Sequence, residues 1–279
     1  MKVTESAVVF DCAGERLLGV ASVPDRPRSI GVLIVVGGRQ YRVGSHRQFV
    51  LLSRRAAAAG YCAFRFDLRG MGDSTGDRRN FAEVDADIAA AIAAFQAQCP
   101  QVERVVLWGL CDAATAAMHY WQRSRDVRVS GMCLANPWLR SEATLARTRV
   151  RHYYRERIFD PAFWRKLLSG KVGPLRALHE YFGAVRASQG SASGGFQSVM
   201  LQGMRDFPGF VLLVLSEHDL TAQEFLVRMQ EDPADAALLL RPRLRRVNIA
   251  EADHTFSRER WKNEVEDALL AWLPEIIEA

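Results

Sequence analysis

The segment at positions 105–113 constrains the fold of this chain more than any other. It opens with the apolar run VVLW, which is typical of a buried parallel strand. Gly109 ends that run, and an alanine-rich segment that begins at Asp112 predicts a helix. A buried strand that passes into a helix through so short a turn indicates a sheet covered by helices.

The turn itself matches the layout of a nucleophile elbow, G-x-S-x-G, with Cys111 in place of the serine and Ala113 in place of the last glycine. Small flanking residues are needed because the strand-to-helix turn is tight. The turn also presents its central side chain at the sheet edge. Free cysteine is among the most buried residue types, so a packed thiol is the alternative for Cys111.

Strand and helix patterns alternate along most of the chain. Residues 3–23 alternate apolar and polar side chains around a turn, which predicts an antiparallel hairpin at a sheet edge. Further buried strands are predicted at 31–36, 61–66, 102–108, 131–135, 210–216 and 244–249. Helical patterns separate them, so we expect an α/β fold with a mostly parallel eight-stranded sheet.

The alternation stops at residues 140–207, where helical segments rich in arginine and aromatic residues follow one another. We interpret this region as an inserted helical lid. It would divide one α/β core into a first part, residues 1–139, and a second part, residues 208–279.

Three chemically reactive residues each follow a predicted buried strand directly: Cys111, Asp219 and His254. The carboxyl ends of parallel strands meet at one sheet edge, so these residues are expected to lie together. Their order along the chain is nucleophile, acid, base. Taken singly, Asp219 is as well explained as a helix N-cap and His254 as a surface residue. Together they predict a Cys-His-Asp catalytic triad.

An acyl-transfer site also needs donors for the oxyanion. The backbone N–H of Asp112 is one candidate, and the N–H of Arg39, after the Gly37-Gly38 pair, is the second. His218 and Asp253 adjoin triad members and are weaker alternatives to them. Candidate substrate-pocket residues are Gly38, Gln40, His46, Trp138, Arg147 and Arg151. The lid arginines could hold an anionic substrate, with a solvated lid surface as the alternative.

Composition excludes several classes of function. The 279-residue chain is 49% hydrophobic, yet its apolar runs are too short to span a membrane and its N-terminus lacks a signal region. We therefore expect a cytoplasmic protein. Its five cysteines lack metal-site spacing and favour reduced thiols, and the scattered net charge of +5 argues against nucleic acid. The turn at 67–76 is not a phosphate loop, and we interpret Asp67 and Arg69 there as a structural pair. We expect no cofactor and no metal. An oligomeric state is not specified.

The motif Asp67-x-Arg69-Gly70-x-Gly72-x-Ser74 resembles the serine aminopeptidase and lysophospholipase-like branch of the α/β-hydrolase superfamily. Nearly the whole chain more closely resembles the exosortase A system-associated hydrolases of the "hydrolase 1" type. The segments that carry this resemblance are GGRQYRVGSHR at 37–47, WGLCDAA at 108–114, NPWLRSEA at 136–143, FWRKLLSG at 163–170 and ADHTFS at 252–257.

The resemblance implies a hydrolase encoded with a bacterial exopolysaccharide and protein-sorting system, without specifying its substrate. The cysteine departs from the wider superfamily and is also seen in enzymes similar to dienelactone hydrolase. We expect hydrolysis or acyl transfer on a small-molecule or carrier-linked ester, thioester or lactone. The alternatives are a non-catalytic binding or scaffold protein of the same system and a peptidase-type hydrolase.

Overall fold

The computed structural model describes residues 2–38, 40–139 and 194–278. Its strands are β1 Val3–Cys12, β2 Glu15–Pro24, β3 Ile30–Val35, β4 Ala63–Phe66, β5 Arg104–Leu110, β6 Val129–Ala135, β7 Phe210–Ser216 and β8 Leu244–Ile249. They form one sheet in the order β1-β2-β4-β3-β5-β6-β7-β8. β2 pairs antiparallel with β1 and β4, and the other neighbours are parallel. The predicted α/β fold with a mostly parallel eight-stranded sheet is confirmed.

Helices cover both faces of this sheet. They are α1 Gln48–Ala58, α2 Asp85–Gln98, α3 Asp112–Ser124, α4 Gly194–Asp206, α5 Leu220–Met229, α6 Pro233–Leu238 and α7 Glu259–Ile277. Alternate residues of β5 enter opposite cores. Val105 and Leu107 pack with side chains of α2 to α5, while Val106 and Trp108 pack with those of α1 and α7. No helix in the described part of the chain is long and apolar enough to cross a membrane.

The inserted region predicted at 140–207 lies mostly outside the described residues. Its end forms α4, which packs against α3 through buried side chains that include Met200 and Met204. Both methionines belong to the same apolar cluster as β5 and β6. The final turns of the predicted insert therefore contribute to the core of the sheet domain.

The loop after β4 is held differently from the sequence-based expectation. Asp67 and Arg69 are not partners of each other. Asp67 binds the side chain and backbone N–H of Arg42 and the N–H of Asp73, whereas Arg69 pairs with the buried Asp87 through Nη2 at 2.7 Å. The pairing prediction was wrong because each charged group reaches a partner on another segment. Both ion pairs still fix this loop, one to the loop after β3 and the other to α2.

Candidate active site

Cys111 lies between β5 and α3 in a conformation that residues other than glycine rarely adopt, with φ 63° and ψ −122°. Its N–H donates to the carbonyl of Ala135, and its own carbonyl accepts the N–H of Trp138. The end of β6 therefore holds the turn in place, as a strained backbone requires. Cys111 is half-buried, whereas the other four cysteines are buried free thiols, at positions 12, 62, 99 and 133.

The small residues of the turn are required by its packing. A Cβ on Gly109 would lie 2.6 Å from the backbone carbon of Ala113, closer than real Cβ atoms approach other atoms. Ala113 itself is only 1% exposed. Strand and helix therefore meet too closely for larger side chains at positions 109 and 113, two residues before and after Cys111.

Asp219 and His254 are in direct contact. Nδ1 of His254 lies 2.9 Å from Oδ2 of Asp219. The same carboxylate accepts the N–H groups of Thr221 and Ala222, each at 3.1 Å, and so caps the N-terminus of α5. The helix-cap and histidine-partner interpretations of Asp219 both describe its geometry. The cap bonds hold the carboxylate still and thereby orient the imidazole.

The protonation of His254 is set by its two neighbours. Burial alone would lower the pKa of the imidazole, but hydrogen bonds to Asp219 and to the side chain of Cys111, with the charges of both, raise that pKa to about 10. His254 thus interacts with the side chain of Cys111 and bonds directly to Asp219. These contacts bring together the three residues that the sequence predicts as a triad.

His254 has the longest distance to cover. It follows β8, which is three strands away from β5, or about 14 Å at the usual strand spacing. Its loop therefore folds back across the strand ends, where Nδ2 of Asn136 donates to the His254 carbonyl at 3.0 Å. Oγ of Ser216 donates to the Asp253 carbonyl at 2.9 Å. Asn136 and Ser216 are buried and also bond to each other, so they anchor the loop.

The remaining acidic and basic neighbours have structural roles. The side chain of Asp253 accepts the N–H groups of Thr255 and Ser257 and shapes the loop, as the sequence indicates. His218 is exposed at the end of β7. His119 is fully buried, its ring lies 2.8 Å from the carbonyl of Phe196, and burial lowers its pKa.

The predicted oxyanion donors are only partly described. Asp112 is the first residue of α3, so its N–H lies at the helix N-terminus directly after Cys111. Arg39 lies outside the described residues. Its neighbour Gly38 has φ 62°, and the Gly38 N–H donates to Oδ2 of Asp112 at 2.8 Å. The loop after β3 therefore contacts the elbow directly, through a side chain whose orientation the sequence does not indicate.

The pocket candidates differ in their surroundings. Oε1 of Gln40 is buried and has no hydrogen-bond partner among the described residues. His46 is exposed. Burial would raise the pKa of Asp253, but hydrogen bonds from Ser257 and Thr255 lower it, and the charge of His46 adds to that effect. Trp138 is half-buried and stacks on Phe196, with ring centroids 5.2 Å apart. Arg147, Arg151 and Arg155 lie outside the described residues, as does most of the predicted lid.

Sequence reasoning missed Asn136 as a residue of this site. It is a polar residue directly after a buried strand, the same signal that marks Cys111 and Asp219. The Asp112 carboxylate is recognisable in the sequence as an acid beside the elbow, but the sequence does not indicate which way it faces. No group of three or more His, Cys, Asp or Glu side chains in the described ranges could hold a metal ion.

Comparison with protein families identifies the class. The chain matches the alpha/beta hydrolase family over residues 32–268, a range that includes Cys111, Asp219 and His254, and it belongs to that family. Comparison with curated proteins finds no significant match.

Solved structures of this fold are similar over nearly their whole length. An esterase of Pyrococcus furiosus has a TM-score of 0.66 and 15% identity, with 98% of this chain and 91% of that chain covered. The Butyrivibrio proteoclasticus protein Est1E, solved with ferulic acid bound, has a TM-score of 0.64 and 15% identity, with 98% of this chain and 100% of that chain covered. A dienelactone hydrolase of Anabaena variabilis has a TM-score of 0.63 and 14% identity, with 99% of each chain covered. At these identities the likeness establishes the fold.

Proposed function

We propose that this protein is a cysteine-dependent hydrolase or acyltransferase that acts on ester, thioester or lactone bonds. His254 already holds, as an imidazolium, the proton taken from the Cys111 thiol, and the sulfur attacks the substrate carbonyl carbon, whose π electrons move to oxygen. The tetrahedral adduct collapses as the bond to the leaving group breaks and His254 protonates that group. Water or another acceptor then attacks the thioester, gives its proton to His254, and releases the acyl product and the thiol.

The observation that carries this proposal is the line of contacts from Cys111 through His254 to Asp219. It includes a 2.9 Å histidine–carboxylate hydrogen bond. Nucleophile, base and orienting acid in mutual contact are recognised as a triad by geometry rather than by sequence position. The elbow adds a strained backbone at a helix N-terminus, which favours negative charge. A cysteine present only for packing would require none of these contacts.

The sulfur nucleophile also restricts the substrate class. Thiolate is a good leaving group, so the tetrahedral adduct returns to substrate unless the other group departs more easily. Thioesters, activated esters and lactones meet that condition better than amides. The same chemistry supports transfer to an acceptor other than water. The similar structures include an esterase and a dienelactone hydrolase, which agrees with this choice of bond.

The proposed setting is the cytoplasm of a bacterium with an exosortase and exopolysaccharide system, and the substrate there is a small or carrier-linked acyl compound. This part is supported by the sequence resemblance and by five free thiols, which persist in a reducing compartment. Gene neighbourhood tests it. A coding sequence adjacent to exosortase and polysaccharide-assembly genes is expected, and one remote from both would overturn this setting.

The decisive experiment is labelling with an activated acyl ester followed by intact-mass analysis. Wild type is expected to gain one acyl group on Cys111, and Cys111→Ala is expected to gain none. Cys12→Ala is the matched control, because it removes a buried thiol on the edge hairpin and should label like wild type. An adduct that maps to another residue, or undiminished turnover by Cys111→Ala, would refute the nucleophile.

A panel of fluorogenic thioesters, esters and aminoacyl amides then ranks the alternatives. Thioester and ester turnover above amide turnover supports the proposal. Faster amide hydrolysis would indicate a peptidase-type hydrolase. Absence of acylation, with slow alkylation of Cys111 that His254→Ala leaves unchanged, would indicate a non-catalytic binding protein.

A further inference from the structure

The Asp112 side chain connects the nucleophile elbow to the loop after β3. Oδ2 accepts the Gly38 N–H at 2.8 Å, across 74 positions of sequence. The Gly38 carbonyl in turn accepts a hydrogen bond from Nη2 of Arg78 at 2.9 Å. The Asp112 carboxylate thus holds the N–H of Gly38, and the Arg78 guanidinium holds its carbonyl.

The space around Gly37 is shaped by the same carboxylate. A Cβ on Gly37 would overlap Oδ1 of Asp112 and would lie only 2.8 Å from the backbone nitrogen of Ala113. The loop therefore approaches the N-terminus of α3 so closely that only glycine fits. Gly38 then takes φ 62°, a left-handed conformation that glycine adopts without strain.

The carboxylate of Asp112 lies at the N-terminus of α3, beside the backbone N–H that follows Cys111. The charge of His254, on the loop after β8, also acts on this carboxylate. Cys111 adjoins it on the turn, and Arg78 reaches the same loop from the other side. Burial raises the pKa of Asp112 above its ordinary value, although the backbone N–H groups of Gly38, Ala113 and Asp112 itself, and the charge of His254, oppose that rise.

We propose that Asp112 is a positioning residue with two opposed effects. Its carboxyl oxygen holds the Gly37-Gly38 loop over the elbow, which speeds acylation, and its negative charge disfavours the oxyanion, which slows acylation. The proposal rests on the proposed function, because it presupposes acylation of Cys111. It gives the side chain of Asp112 a role beyond the backbone N–H of that residue.

Two variants separate the two effects. Asp112→Asn keeps an oxygen that can accept the Gly38 N–H and removes the charge, so acylation by an activated ester is expected to rise about tenfold. Asp112→Ala removes both, so the loss of the anchor, about a hundredfold or the cost of one oxyanion donor, is partly offset by the loss of the charge and acylation is expected to fall about tenfold. The change should appear in kcat rather than in KM.

Alkylation of Cys111 by iodoacetamide is the internal control, since displacement of iodide forms no oxyanion. It is expected to change by no more than a few-fold in either variant. A pH series gives a second signature. The Asp112→Asn advantage should shrink toward unity as the pH falls and Asp112 of the wild type becomes protonated, with His254, Cys111 and Arg78 present in both proteins.

The outcomes distinguish this proposal from the proposed function. If wild type acylates on Cys111 but Asp112→Asn slows acylation and alkylation in parallel, Asp112 has only a structural role and the inference fails. Equal acylation of Asp112→Ala and wild type also overturns it. If wild type is alkylated but never acylated, the proposed function itself fails. Should Asp112→Ala not fold, the ratio of the two rates in Asp112→Asn still decides the question.

Discussion

At the scale of single residues, Asp219 contacts two parts of the molecule with one carboxylate. Asparagine at this position can still cap α5, because its side-chain oxygen accepts a backbone N–H as aspartate does. It cannot hold the imidazolium of His254 in the same way. We expect Asp219→Asn to lower kcat by about 10⁴-fold, as loss of the orienting acid does in comparable triads. Its melting temperature should remain close to that of wild type.

Asp219→Ala is the companion variant, measured by turnover and by urea unfolding. It should lose the same activity and in addition about 1 kcal/mol of unfolding free energy, because the cap is removed. Equal stability of the two variants would contradict the capping role. Retained activity in Asp219→Asn would contradict the orienting role.

Gly109 offers a second residue-scale prediction. A methyl group there would lie 2.6 Å from the backbone of Ala113, so Gly109→Ala must force strand and helix apart. We expect a loss of about 3 kcal/mol of unfolding free energy and of Cys111 labelling. Gly195→Ala in α4 is the matched control. An added Cβ there meets no atom within 4 Å, and the change should be neutral or stabilise by up to about 1 kcal/mol.

The sequence predicted the reactive side chains of this site but not their supports. Cys111 and Asp219 follow apolar runs, and His254 follows the last predicted strand, positions that one-dimensional patterns detect. Asp112 is different, because the orientation of its carboxylate depends on a loop 74 positions away. Only the folded chain brings that loop to the elbow.

At the scale of elements, four neighbouring strands each deliver one polar residue to the same edge of the sheet. β5 is followed by Cys111, β6 by Asn136, β7 by Asp219 and β8 by His254, in the order in which the strands lie. Asn136 has φ 42°, a left-handed conformation that asparagine tolerates better than most residues. The contribution of β6 is therefore structural: it fixes the loop that returns His254 toward Cys111.

Ser216→Ala tests that support. The change leaves the Asp253 carbonyl without its hydroxyl donor, so we expect a loss of about 1–3 kcal/mol of unfolding free energy. A displaced imidazole should also lower kcat at least about tenfold with KM unchanged. Ser130→Ala on β6 is the control, because the Ser130 hydroxyl has no partner among the described residues. Equal effects of the two variants would show that the Ser216 bond does not position His254.

Strands were easier to predict than short helices and turns. The bounds of β7 and β8 agree with the sequence pattern. β7 is a continuous apolar run that ends before Glu217, whereas β8 is a partly exposed strand that carries two arginines, so the expectation that it is buried was wrong. The sequence pattern predicts one helix from about Ser45 to Ala59, yet His46 and Arg47 have φ 52° and 60°, so the chain makes a 3₁₀ turn before α1. The six-residue helix α6 was not predicted, since it is too short to show a periodic apolar face.

At the scale of the whole molecule, the candidate site joins segments on both sides of residues 140–193. Cys111 and Asn136 come from the first part of the chain, and Asp219 and His254 from the second. Parallel strands with crossover helices bring all of them to one edge, so formation of the site depends on formation of the whole sheet. The ionisation of His254 should therefore be linked to the global stability of the protein.

The sign of that linkage follows from the direction of the shift. The folded protein holds the pKa of His254 at about 10, above its ordinary value of 6.5. Its contribution to stability is fully present below pH 6.5 and is lost as the pH rises toward 10. The difference in unfolding free energy between wild type and His254→Gln should shrink over that range, by on the order of 1 kcal/mol because solvent screens the half-exposed imidazole. Urea unfolding at several pH values measures it.

The Asp219→Asn background should show a smaller pH dependence, because the carboxylate that raises the pKa is absent. A difference that stays constant from pH 6 to 10 would mean that the imidazole is not held in its charged form by Asp219 and Cys111.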